Sequence, residues 1–196
     1  MNPDDREEVN EGIRAAMRRA RGYADCFGWA TNRDLEEQGV LTSLAESLEM
    51  SGRLFFSSIS MRGRSQDPPD LEAKDHAGQR IAFEVTELVD GKAIEAFKSG
   101  RVYDYAGWNQ EKFLSTLGSL LIAKDSCFPN LKGTPYPGGY VVVVFTDEPA
   151  LPRLTVESLL LEHSFSNLPH IDRAFLLLSY DPAIEQCPVF ELKTDG

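Results

Sequence analysis

The sequence has no apolar run of the roughly 20 residues that a helix needs to cross a bilayer. Cysteine is sparse: Cys26, Cys127 and Cys187 are odd in number, far apart and without CxxC or Cys/His ligand spacing. That pattern argues against a disulfide framework or a zinc site and leaves buried free thiols. The three histidines, His76, His163 and His170, have no nucleophile pattern near them, so no serine or cysteine hydrolase is indicated. A glycine-rich phosphate loop is missing too, because GTPYPGG (133–139) has prolines where such a loop needs donor amides. Positive charge is also short, 20 Lys and Arg against 31 Asp and Glu, for a net charge of −11. An acidic surface suits a basic protein partner better than nucleic acid. The opening stretch MNPDDREEVNEGIRAAMRRA is too charged for a signal peptide, so the expected location is cytoplasmic, with no membrane partner.

What is present is ordinary globular composition, 42% hydrophobic and 26% charged over 196 residues. We expect one domain over 1–196, with an N-terminal helix within 1–30 and an α/β core over 41–192. Val9, Ile13, Ala16, Met17 and Ala20 give the first helix its stripe. A second helix is expected over Asp34 to Glu49, interrupted at Gly39, with Leu35, Leu41, Leu44 and Leu48 inward and Glu46 and Glu49 as candidates to turn toward a metal. Leu54 to Ser60 reads as a short strand, and Lys92 to Tyr105 permits a helical piece ended by Gly100. Trp108 to Phe128 is a long amphipathic helix whose stripe Phe113, Leu117, Leu120 and Leu121 continues by four onto Lys124. A lysine there must snorkel to solvent or meet a buried carboxylate. Lys112 lies on the face of Thr116 and Ser119 and has less reason to point inward. YVVVVF (140–145) lacks alternation and reads as a strand covered on both faces. A short helix capped by Thr155, a buried strand at Ala174 to Ser179 and an edge strand at Pro188 to Leu192 complete an α/β fold with a mixed central sheet flanked by helices.

The most informative stretch is QDPPDLEAKDHAGQRIAFEVTELVD (66–90). Ile81, Phe83 and Val85 alternate with Ala82, Glu84 and Thr86, as in a strand with two different faces. A hairpin turn centred on Ala77 would set Asp70 opposite Glu84, side by side on one face. Two such carboxylates need a shared cation, and hard oxygen ligands favour Mg2+ or Mn2+. Such an ion acidifies bound water and stabilises charge on a phosphoryl oxygen, so Asp70, Glu84 and Lys124 form a complete set for metal-assisted phosphodiester hydrolysis. Arg53, Arg62 and Arg64 lie in an acid-free run just upstream and could contact phosphate or simply sit on a solvated edge.

PPD (68–70) followed fourteen residues later by FEVTE (83–87) resembles the PD-(D/E)XK nuclease superfamily, with its restriction endonuclease-like core. The resemblance runs at the level of pattern from Leu41 to Ser179, with the N-terminal helix as an extension. It implies metal ligation by Asp70, Glu84 and the main-chain carbonyl of Val85. The superfamily lysine, two residues after the glutamate, is replaced here by Thr86, which then belongs with Arg62 and Arg64 among the candidate substrate contacts. Some branches move that lysine to the following helix, where Lys124 or Lys112 could replace it. With IAKD (122–125) and VVVVFTDE (141–148), the chain is similar to an uncharacterised bacterial ExT-type branch. The implied activity is that of a divalent-metal-dependent nuclease on DNA or RNA. The alternative is a degenerate nuclease fold serving as an acidic module for a basic protein partner.

Overall fold

The structure, a computed structural model, describes residues 33–101 and 107–195. The helix expected within 1–30 therefore lies outside the described residues. In chain order the elements are α1 (Arg33–Met50), β1 (Phe56–Met61), β2 (Leu71–Asp75), β3 (Arg80–Glu87), α2 (Gly91–Lys98), α3 (Gln110–Asp125), β4 (Tyr140–Thr146), α4 (Arg153–Leu160), β5 (Phe165–Ser166), β6 (Arg173–Leu178), β7 (Val189–Leu192) and β8 (Thr194–Asp195).

A six-stranded sheet in the order β1-β2-β3-β4-β6-β7 forms the centre. Its three chain-proximal strands are antiparallel neighbours, β3, β4 and β6 run parallel, and β7 returns antiparallel at the edge. Parallel neighbours need a crossover, and the segment containing α3 supplies it between β3 and β4. Every residue of β4 is buried, as its unbroken β-branched run demands. Odd positions (Val141, Val143, Phe145) pack with Phe83, Phe175 and the α1 leucines on one face. Even positions (Val142, Val144) pack with Ala82, Leu176 and the α3 stripe Phe113, Leu117 and Leu121 on the other. The sheet is therefore filled on both sides by side chains of alternating direction. No described helix is long and apolar enough to cross a membrane. β5 and β8 form a separate two-stranded parallel pair that the sequence pattern does not announce.

Local departures from expectation have local causes. Gly39 does not break α1, which is continuous because Val40, Leu41, Leu44 and Leu48 lie fully buried on its inner face and tertiary packing outweighs glycine's cost of about 1 kcal/mol. Leu35, placed inward by periodicity, is 46% exposed. α4 begins at Arg153 behind Pro152, before Thr155, with no side-chain cap; proline's fixed φ suits a helix start. Asn109 caps α3, its side chain accepting from the Lys112 amide at 2.8 Å.

Leu117 is fully buried where α3 meets the sheet. Leu117→Ala should cost about 2–5 kcal/mol through lost burial and a residual cavity, read as a lower urea midpoint at unchanged slope.

Candidate active site

The β2–β3 hairpin sets the geometry. Asp75 accepts at Oδ1 from the amides of Ala77 and Gln79, both at 2.8 Å, and Gly78 takes the left-handed conformation that closes the turn. The resulting register pairs Leu71 with Phe83 and Ala73 with Ile81, so its next step sets Asp70 opposite Glu84, as the hairpin arithmetic anticipates.

Just before β2, Pro68 and Pro69 lie in a bend that leads into Asp70. The Ala82 and Leu88 amides donate to β4, so the peptide groups of the odd β3 residues face β2. The Val85 amide donates to Asp70 Oδ2 at 2.8 Å. Asp70 thereby holds the end of the hairpin and aims its carboxylate.

α3 crosses the face that Glu84 occupies, and Lys124 reaches down from its last turn. Its ammonium lies 3.5 Å from Asp70 Oδ2 and donates to Glu84 Oε2 in a very close contact. The Asp70 and Glu84 side chains are 2% and 3% exposed and that of Lys124 16%. Tyr140 pins this end of α3 by donating its hydroxyl to the Lys124 carbonyl at 2.8 Å. Burial, then Glu84, push that hydroxyl's pKa up, so it stays a neutral donor. Glu84 Oε1 is buried without a hydrogen-bond partner among the described residues.

Burial, reinforced by Asp70, raises the Glu84 pKa above the usual carboxyl value, while the Lys124 ammonium pulls it back. Burial alone would lower Lys124, but Asp70 and Glu84 outweigh it, so the lysine is raised and keeps its charge.

A third carboxylate joins from the opposite layer. Glu37, in the first turns of α1, is 8% exposed and accepts from Arg33 Nε at 2.5 Å. Arg33 also places its guanidinium 3.6 Å from Asp70 Oδ1. Burial and then Asp70 push Glu37 up to about 7, against the pull of Arg33 and Lys124. A cleft of about 250 Å³ opens here, lined by Arg33, Asp34, Glu37, Gly63, Asp67 and Asp70. The stripe that runs back from Leu48 through Leu44 and Leu41 lands on Glu37, the signal that sequence reasoning left unused. Glu46 and Glu49, nominated in its place, are exposed.

The remaining candidates fall elsewhere. Arg62 is committed to Glu72, with Gln66 and Lys132 carbonyls accepting at 3.2 and 3.1 Å, and its side chain is 10% exposed. It braces the hairpin. Arg64 opens a 3₁₀ turn (Arg64–Gln66), and its side chain lies outside those described. Thr86 is half-buried on the Glu84 face, two residues on. Lys112 pairs with Asp90 at 2.7 Å and lies over the Trp108 ring, so it too has a carboxylate partner, but one apart from Glu84 and Asp70. Lys124 is the lysine the fold brings to the carboxylate pair.

An all-oxygen donor set with one carboxylate oxygen lacking a hydrogen-bond partner among the described residues fits a hard cation such as Mg2+, which keeps several waters and takes one or two carboxylates. Among the described residues, no three His, Cys, Asp or Glu side chains converge as a metal cluster. The pair would therefore bind with carbonyl and water ligands completing the shell.

Two stability measurements follow. Lys124→Met leaves two buried carboxylates without their cation and should cost about 3–5 kcal/mol at neutral pH, with part of the loss recovered by adding Glu84→Gln, as read by urea denaturation. Glu37 has a folded-state value of about 7 against an ordinary 4.5, so the stability it contributes is complete below 4.5 and lost as pH rises through 7. Glu37→Gln should flatten the decline in urea midpoint across that window. Comparisons with family models, curated proteins and solved structures return no match to this chain.

Proposed function

We propose that the protein is a divalent-metal-dependent phosphodiesterase of the PD-(D/E)XK nuclease type, built on a restriction endonuclease-like core and acting on DNA or RNA. The observation that carries this reading is the meeting of Lys124, from α3, with Glu84, from β3, and Asp70, just before β2. The order of hairpin, α3 and β4 also agrees with that core.

Asp70, Glu84 and the Val85 carbonyl would hold Mg2+ or Mn2+, with Glu37 at the margin of the same cleft. The bound ion would supply an acidified water and charge stabilisation at phosphorus. Lys124 places a fixed positive charge beside that point, offsets the negative charge developing on a phosphoryl oxygen and orients the attacking water. Burial of both carboxylates keeps bulk water from screening these interactions. Asp70 contributes twice, as a ligand and as the acceptor that locks the Val85 peptide.

The net charge of −11 favours a second reading, a nuclease fold that binds a basic protein partner without cleavage. Incubation with plasmid, single-stranded DNA and RNA in the presence of manganese separates the two. Cleavage lowered at least 100-fold in Asp70→Asn and Glu84→Gln supports the nuclease. No cleavage, with capture of a basic protein that Asp70→Asn leaves unchanged, supports the second reading.

A further inference from the structure

On the reading that Asp70 and Glu84 hold a divalent cation, we propose that Arg33 is a place-holding cation that metal loading displaces. The two oxygens of Asp70 face different partners. Oδ2 takes the Val85 amide and faces Lys124, while Oδ1 meets the Arg33 guanidinium on the side of the cleft. A metal ion reaching Asp70 from the cleft meets Arg33 at Oδ1. A guanidinium and a divalent ion on one oxygen repel each other, and the ion carries the greater charge.

Arg33 is suited to leave. Its side chain is 59% exposed, so it can swing into solvent without uncovering core, whereas Lys124 is 16% exposed on a helix end that Tyr140 pins. What holds Arg33 inward is the negative charge of Glu37, Asp70 and Asp67. Metal on Asp70 removes that carboxylate's share of the pull and leaves the hydrogen bond to Glu37, so the guanidinium can leave Asp70 while α1 still holds it. Once displaced it stands at the rim of the same cleft, beside Gly63, as a donor for an anionic substrate group. The apo site thus keeps its buried carboxylates compensated until an ion arrives.

Manganese titrations at pH 8, above the range where Glu37 titrates, with free ion read by electron paramagnetic resonance, test this in wild type, Arg33→Gln and Arg33→Lys. Arg33→Gln should bind manganese about fivefold more tightly, because the competing charge is gone, and Arg33→Lys should stay close to wild type. Circular dichroism verifies that each variant is folded. In manganese-soaked crystals the guanidinium should stand away from Asp70. Unchanged or weaker affinity in Arg33→Gln, or manganese bound with Arg33 still against Asp70, overturns the displacement alone. Absence of binding in wild type and variants alike removes the metal site itself, and the displacement with it.

Discussion

Two carboxylates forced side by side in a nearly dry interior are the constraint around which this structure is arranged. At about 4 Å and an effective dielectric of about 20, like charges repel by about 4 kcal/mol before any desolvation cost. The β2–β3 register leaves Asp70 and Glu84 no choice of position, so the compensation has to come from outside the hairpin. It arrives from both layers: Lys124 from α3 on one face and Arg33 from α1 at the sheet end. Glu84 Oε1 stays without a hydrogen-bond partner among the described residues.

The supports around the pair are as specific as the pair itself. Glu72, two residues along β2, receives Arg62, Arg80 and Tyr136 and ties β1, β3 and the 129–139 loop into one block. The Lys132 amide donates to the Pro68 carbonyl at 2.8 Å, clamping that loop onto the PPD segment. Arg80 stacks over the Tyr136 ring, so an apolar surface and an ion network share one side chain. The prolines that the sequence supplies at 135 and 137 stiffen a loop whose task is to hold the residues just before Asp70.

Much of this was legible in one dimension because strand and helix periods are local. Period-two alternation and a turn at Ala77 and Gly78 are enough to set Asp70 opposite Glu84, and a step of four along α3 is enough to nominate Lys124. The same step run backwards along α1 selects Glu37, which is buried, whereas Glu46 and Glu49, nearer the hairpin in sequence, are exposed in the fold. Arg62 shows how a side chain's partner is set by the fold. An acid-free arginine run suggests phosphate, but Glu72 lies within reach and takes the guanidinium.

The sequence by itself determined the α/β class, the both-faces burial of β4 and the pairing of the two carboxylates, since each follows from spacing along a single element or across one short turn. Only the tertiary structure decided which cations meet them, that Glu37 joins from the far layer and that Arg62 does not join. The physical reason is distance: salt bridges fall off over a few ångströms and depend on burial, and whether two residues from different layers come that close is fixed by how helices seat on a twisted sheet.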